Sequence, residues 1–461
     1  MERVAERNKI RRLAIASRIA VLSIQCLASN LLPHHETDVF QAAKSPLDTP
    51  RPLDPVVSFL FGGLMRWDGQ YFLHVARHGY TYLNTLAFFP LLPMAGSFLA
   101  SLASPLTVLL SPPLLLLLIF TGLNLYCFVR AALALYDLSA ALMPIRSILP
   151  YRAAALFCLS PASIFFSAPY SESLFAMLTF SGLARLNTLQ PFPSSALLLA
   201  LSTACRSNGL LNLLHPIHQH LRFRRPHLAL LLLLVLPLPF ILFQIFSYGR
   251  FCLDPHYSLP LFLIKHAHDN DYLVAGSTPP PPFCLQSIAL PYQYVQSSHW
   301  QVGFLRYFEW KQLPNFLLAA PLLFLVISCG WRFFLDYTGH CLTLGLSVTR
   351  PKSVPGQLPP HTLPMVVHTV FLALFCFFCI HVQVTTRLVA SSCPAFYWFA
   401  AMWSSQNESR IAESKENIKS SWRCFLLCVR PQDWRGVFVR LYFLGYFLVG
   451  SIAFSVNLPW T

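Results

Sequence analysis

Long uncharged runs set the pattern of this chain. The clearest, "LALLLLLVLPLPFILFQIF" at 228–246, is about long enough to cross ~30 Å of hydrocarbon. Other apolar stretches lie at 13–33, 86–104, 106–136, 153–184, 194–214, 313–335, 363–403 and 437–457. Several could hold two passes, or one pass and a re-entrant piece. The pattern predicts an all-α polytopic membrane protein: a single integral domain over 1–461 with about eight to ten transmembrane helices. Two long polar-rich segments interrupt it, 34–85 and 248–312, the second carrying "STPPPPF" at 277–283; a third, 404–436, is charged and partly Ser-rich. Within 66–80, "RWDGQYFLHVARHGY", apolar residues recur at Tyr71/Phe72, Val75/Ala76 and Gly79/Tyr80. That spacing predicts a short amphipathic helix along the membrane surface.

Composition agrees. Hydrophobic residues make up 55% and charged residues 11% of the 461, against about 25% charged in soluble domains. The 37 prolines are compatible with membrane helices whose neighbours re-satisfy freed carbonyls. A net charge of +15 would suit nucleic acid, but the basic residues are dispersed among short loops, as positive-inside bias dictates. Five of them stand in "MERVAERNKIRR" ahead of the first span, which places the N-terminus in the cytosol. That span contains Arg18 and no small-residue cleavage site, so it reads as an uncleaved anchor. Segments 34–85 and 248–312 then lie on the far side. "RFRRPH" (222–227), "TRPKSVPG" (349–356) and 404–436 read as cytosolic. "CFFC" at 376–379 lies in an apolar run and reads as helix packing rather than redox or zinc chemistry. The sequon "NES" at 407–409 falls in a cytosolic loop and is expected to be unused.

Only eighteen residues are acidic, so the search for a catalytic base is short. The far side holds Glu36, Asp38, Asp48, Asp54, Asp68, Glu172, Asp254, Asp269, Asp271 and Glu309. Asp68 opens the amphipathic helix: it is either a cap or a general base just above the bilayer, placed to meet lipid-borne substrates. Glu172 is the one charge in "SPASIFFSAPYSESLFAMLTF", 160–180. A carboxylate that close to hydrocarbon is costly and a functional candidate; the alternative is a helix N-terminus opened by Ser171 or Glu172. Arg206 in "TACRSNG" (203–209), and His381, Gln383 and Arg387 in "HVQVTTR" (381–387), punctuate apolar segments. Such arginines need anionic partners, either Glu172 or Asp68 as ion pairs or a bound phosphate. The sequence contains no Walker loop, GxGxxG or metal-ligand cluster. A multi-pass transporter of a lipid-linked or polar solute is the rival reading, weakened by the lack of a detectable internal repeat.

Six blocks resemble the GPI mannosyltransferase 2 family (phosphatidylinositol glycan class V) in order along nearly the whole chain: "RWDGQYFLHVARHGYTYLNTLAFFPLLP" (66–93), "LSPASIFFSAPYSESLFAMLTFSGL" (159–183), "RSNGL" (206–210), "HWQVGFLRYFEWKQLPNFLLAAP" (299–321), "HVQVTTRLVASSCPAFYWF" (381–399) and "NLPWT" (457–461). The resemblance implies a GT-C-type transmembrane bundle with long lumenal loops in the endoplasmic reticulum membrane. It implies transfer of the second mannose, α-1,6-linked, from dolichyl-phosphate mannose to the GPI precursor, without a cofactor or metal. Both lipids are then its partners, and the resemblance leaves open an auxiliary membrane subunit. Asp68 matches the acidic residue of the first lumenal loop that GT-C enzymes use as base. Glu172 would assist it. Trp67, Arg206, Asn208, Gln383 and Arg387 would bind substrate. Relatives often carry glutamate after the "GYxY" segment; here that position is Leu83.

Overall fold

The computed structural model describes residues 2–37, 39–145, 147–188, 192–254, 258–347, 351–404 and 433–460. Asp38, the sequon at 407–409 and most of 404–436 lie outside them. Among the described residues, six helical segments are long and apolar enough to cross a membrane: Arg3–Leu31, Pro112–Leu142, Pro226–Leu253, Trp310–Asp336, Pro360–Cys379 and Trp434–Ser455.

Two contacts fix how the first spans run. Helix α1 (Glu2–Leu31) is followed by α2 (Asp54–Phe61), α3 (Gly69–His78), α4 (Leu91–Leu102) and α5 (Pro112–Leu142). The start of α1 meets the end of α5, where Arg7 pairs with Asp137 and Tyr136 donates to Glu6 at 2.6 Å. The start of α5 meets α2 instead, with the Ser111 N–H on Asp54 Oδ1 at 2.8 Å. Everything between α1 and α5 therefore begins and ends at one end of the bundle. The stretch 86–104 is not a span: α4 has 12 residues, about 18 Å at 1.5 Å per residue, too short for ~30 Å of hydrocarbon. Met94, Phe98 and Leu102 on α4 are exposed, as suits a helix lying partly in lipid.

Three other apolar stretches are broken, and the breaks matter most. The run 153–184 is α6 (Leu149–Cys158) and α7 (Glu172–Leu186) around a buried irregular turn; 194–214 is α8 (Phe192–Cys205) and a 3-10 segment, Ser207–Leu213, leading into α9 (Leu214–Arg222). The span over 226–253 is kinked between α10 (Pro226–Val235) and α11 (Leu238–Tyr248), where Pro237 interrupts the ladder. After α12 (Leu261–Asp269), α13 (Pro291–His299), α14 (Leu313–Asp336) and α15 (Thr338–Leu342), the run 363–403 breaks into α16 (Leu363–Cys379), α17 (Thr385–Ser392) and α18 (Pro394–Trp403); α19 (Trp434–Ser455) follows.

Irregular backbone at this depth is tolerated only where protein groups satisfy it. They do. Arg18, fully buried in α1, donates to the Ser163 carbonyl at 2.6 Å and to Ser167 Oγ at 3.1 Å, with its guanidinium 3.9 Å from the Phe128 ring centroid. Asn124 of α5 donates to the Ala168 and Tyr170 carbonyls at 2.5 and 3.1 Å. At the 380–384 break, the carbonyls of Cys379 and Phe378 accept from the Gly303 and Leu305 N–H groups at 3.0 and 2.7 Å. In the turn after α8, a Cβ on Gly209 would stand 2.6 Å from the Ser202 carbonyl, so only glycine allows that close return.

The two long polar segments form one cap. Leu83 N–H donates to the Leu273 carbonyl at 2.8 Å and Ala275 N–H to the Thr81 carbonyl at 2.9 Å, a short antiparallel bridge between them. A disulfide, Cys252–Cys284, staples the second segment to the end of its span. No spacing in the sequence singles these two cysteines out as a pair. Cys376 and Cys379 are free thiols, and Cys376 is buried in the core, in keeping with helix packing.

Candidate active site

The helix expected from "RWDGQYFLHVARHGY" spans Gly69–His78 and ends at Gly79, whose φ of +70° reverses the chain. It does not lie bare on the membrane. Phe72, Leu73, His74, Val75 and Ala76 are buried, because the second polar segment folds over it: Val75 and Tyr80 pack with Phe251 and Val295. His74 stacks on Tyr82 and bonds Thr81 Oγ1 at 2.7 Å. Burial pushes both helix histidines down, His74 well below the ordinary imidazole range and His78 to about 4. They are neutral packing groups at pH 7.

Asp68 occupies the N-cap position of α3, but its side chain makes no capping hydrogen bond. It reaches α17 instead, where Arg387 Nη1 donates to Asp68 Oδ2 at 2.8 Å. The cap alternative is thereby set aside. Trp67, just before it, has φ +53°, a left-handed conformation rare for a bulky residue. Its indole packs against the main core, with Nε1 buried and lacking a hydrogen-bond partner.

Glu172 is the first residue of α7 and is fully buried. Its Oε1 lies 2.6 Å from Arg206 Nη1 and 3.8 Å from Arg387 Nε. Both are ion pairs outside hydrogen-bond alignment; Arg206 Nη1 directs its hydrogen bond to Ser171 Oγ at 3.1 Å. Arg206 Nε also donates to Asn208 Oδ1 at 3.4 Å. Two carboxylates and two guanidiniums thus alternate in one chain, Asp68–Arg387–Glu172–Arg206. The helix breaks bring them together: α7 starts, α8 ends and α17 starts at this one level. Tyr170 and Phe165 lie against the Arg387 guanidinium, with ring centroids 5.6 and 5.4 Å away.

Gln383 sits on an adjoining wall, accepting from Tyr307 Oη at 2.9 Å, while Asn315 donates to the same hydroxyl at 2.7 Å. His381 stacks on Tyr307 and donates to the Trp300 carbonyl at 2.5 Å. Five of the candidates named from the sequence, Asp68, Glu172, Arg206, Asn208 and Arg387, therefore form one connected cluster; Trp67 adjoins it by sequence, and Gln383 by its place just before Arg387. Ser171, Tyr170 and Tyr307 are the participants that composition could not single out, since serines and tyrosines are spread through the chain. Solvent reaches the cluster unevenly: side-chain exposure is 26% at Asp68, 17% at Arg387, 14% at Arg206 and nil at Glu172. Of the two carboxylates, Asp68 is the one open to solvent. Among the described residues, no group of three or more His, Cys, Asp or Glu side chains could hold a metal.

The family model described as "Mannosyltransferase (PIG-V)" matches residues 7–461. The GPI alpha-1,6-mannosyltransferase 2 of Cricetulus griseus is 37% identical, over 98% of this chain and 98% of its own. The Homo sapiens protein of the same name is 36% identical over 99% of both chains. GPI mannosyltransferase 2 of Drosophila melanogaster is 35% identical over 98% of this chain and 100% of its own. Among solved structures, the Archaeoglobus fulgidus oligosaccharyltransferase aligns over 95% of this chain and 55% of that one, with 12% identity and a TM-score of 0.43. Matches of this length, over a chain whose paired carboxylates and arginines converge beside long apolar helices, do not favour a transporter: the chain belongs to the PIG-V mannosyltransferase family, glycosyltransferases of GPI-anchor synthesis.

Proposed function

We propose that this chain transfers mannose from dolichyl-phosphate mannose to the mannosylated GPI precursor at the lumenal face of the endoplasmic reticulum membrane, forming the α-1,6 linkage of the second mannose. The observation that carries the reading is the Asp68–Arg387 pair: a partly exposed carboxylate held through one oxygen by a guanidinium. Oδ2 faces Arg387 at 2.8 Å, and Oδ1 takes the acceptor hydroxyl proton. The acceptor oxygen bonds to the anomeric carbon, the bond to the phosphate oxygen breaks, and dolichyl phosphate leaves with the electron pair. Protonation neutralises Asp68 as the phosphate gains charge, so Arg387 exchanges one anion for the other. Arg206 is the second cation available to the leaving group. Glu172, fully buried between the two arginines, acts as a positioning residue. Trp67, Asn208 and Gln383 shape the substrate walls. The scheme invokes no cofactor and no metal, because the donor carries its own activated phosphate.

Two features support the lumenal side. The Cys252–Cys284 disulfide belongs to the cap at the site end, and disulfides persist in oxidising compartments. The basic N-terminus and the linkers at 222–227 and 351–356 gather at the opposite end, where Gln219 bonds the Leu186 carbonyl at 3.0 Å and His361 bonds the Leu142 carbonyl at 2.8 Å. That is the asymmetry positive-inside bias produces.

Asp68→Asn, expressed in cells lacking the endogenous enzyme, tests the base. Surface GPI-anchored proteins should vanish while the variant accumulates normally, with transfer falling roughly 10²–10⁴-fold. Full rescue by Asp68→Asn overturns the assignment.

A further inference from the structure

One polar side chain stands in the otherwise apolar run 228–246, Gln244. Its Oε1 accepts from the Tyr292 N–H at 3.1 Å. Tyr292 is the second residue of α13, so its N–H is one of those that a helix start leaves without an intrahelical partner. The bond seats the start of a cap helix on a membrane span. Phe89 and Phe240 hold the Tyr292 ring edge-on, at centroid distances of 5.3 and 6.0 Å. Upstream, the disulfide to Cys252 fixes the same segment at Cys284.

So held, Tyr292 brings its hydroxyl to the Ser207 hydroxyl at 2.7 Å. Ser207 directly follows Arg206, at the break between α8 and the 3-10 segment. The backbone of Arg206 is extended there, φ −156° and ψ 147°, so no helical ladder fixes its direction. The other ties of this turn run into the bundle. Arg206 N–H donates to the Ser202 carbonyl and Gly209 N–H to the Arg206 carbonyl, both at 3.0 Å. Asn212 Nδ2 donates to the hydroxyls of Thr179 on α7 and Ser202 on α8, each at 2.9 Å. The Tyr292–Ser207 bond runs to the cap instead. Phenylalanine would satisfy the ring contacts equally well; among the described residues the hydroxyl bonds Ser207 alone. Burial raises the Tyr292 phenol above its ordinary range, against the opposing pull of Ser207 and Arg206, so it keeps its proton at neutral pH.

We propose that Tyr292 is a positioning residue for mannosyl transfer: through Ser207 it fixes the Arg206 turn from the cap side and so couples the cap to the reaction. The proposal rests on the reading of Arg206 as the second cation for the leaving phosphate. Tyr292 acts through Arg206 and contacts neither substrate.

The test is steady-state transfer by the full-length protein in detergent, with donor and acceptor varied in turn, for Tyr292→Phe, Ser207→Ala and the two together. Tyr292→Phe keeps the ring. Rates are taken per folded molecule, from the monodisperse size-exclusion peak, so a loss of stability alone leaves them unchanged. Each single change should lower kcat/KM for dolichyl-phosphate mannose about three- to tenfold, the scale of one hydrogen bond between uncharged groups. The double change should lower it no further, because both remove the same bond. Unchanged kinetics in the two single variants, or effects that multiply in the pair, overturn the positioning role. Arg206→Gln, measured alongside, separates this outcome from failure of the underlying reading. If it depresses kcat/KM for the donor and Tyr292→Phe does not, the positioning role falls while the role of Arg206 stands. If both changes raise KM for the acceptor and leave the donor's kinetics unchanged, Tyr292 still acts through Arg206 and the leaving-group assignment falls.

Discussion

Replacing Glu172 by Gln keeps its volume and removes its charge from a fully buried position 2.6 Å from Arg206 and 3.8 Å from Arg387. Arg387 retains Asp68 at 2.8 Å, so the main loss falls on Arg206, which is left with neutral partners, Ser171 and Asn208. Breaking a buried pair by removing one member costs about 3–5 kcal/mol. The Arg206 side chain keeps 14% exposure, which argues for the lower end, about 3 kcal/mol, or roughly a 150-fold fall in the folded-to-unfolded ratio. Removing the stranded cation as well should return much of this: Glu172→Gln with Arg206→Gln should recover about 2 kcal/mol, the coupling expected of groups in contact. Melting of the full-length protein in detergent, followed by fluorescence-detected size exclusion, should rank wild type above the double variant and the double variant above Glu172→Gln. Mannosyl transfer in microsomes should stay low in both variants, because the double change also removes the guanidinium that the proposed scheme offers to the leaving phosphate. Stability would then recover without activity. If Glu172→Gln melts with the wild type yet loses transfer, Glu172 acts on the substrate itself and the ion-pair reasoning fails.

Arg18→Leu should destabilise the bundle by about 1–3 kcal/mol, because it strands the buried Ser163 carbonyl that Arg18 satisfies at 2.6 Å; unchanged melting would show the 159–171 turn to be self-supporting. Cys252→Ser should cost about 4 kcal/mol through the 32-residue separation its disulfide closes. Non-reducing electrophoresis after limited proteolysis between the two cysteines should hold the fragments together in the wild type and release them in the variant. His78, held at about 4 against an ordinary 6.5, is neutral when folded but binds a proton more readily when unfolded. Its contribution is therefore complete above about pH 6.5 and is lost as pH falls toward 4. His78→Gln should flatten that part of the melting-versus-pH curve, and an identical slope would show that other groups control it.

The amphipathic helix that carries Asp68 shows where local pattern suffices and where it stops. Apolar spacing locates α3 to within a few residues, since a helical face depends only on neighbours three and four apart. The same spacing cannot show that both faces are covered, because the covering residues, Phe251 and Val295, come from a loop some two hundred residues later. A similar gap separates expected and observed spans. Composition counts apolar residues and reads 153–184 or 363–403 as greasy, yet both are broken. Their breaks are stabilised by Arg18, Asn124 and the 303–305 backbone, which are remote in sequence.

By itself, the sequence determined that the chain is an all-α membrane protein, that its charges are too few to be incidental, and that Asp68, Glu172, Arg206 and Arg387 were the ones to weigh. Those conclusions follow from the cost of placing charge near hydrocarbon, which is a property of each residue type. Tertiary structure alone decided which carboxylate each arginine holds, that Asp68 is partly exposed while Glu172 is sealed, and that the two polar segments make one cap. Pairing and burial depend on contacts that bridge 35 residues between Ser171 and Arg206 and 319 between Asp68 and Arg387. Such contacts are set by how interrupted helices pack, and no local pattern encodes them.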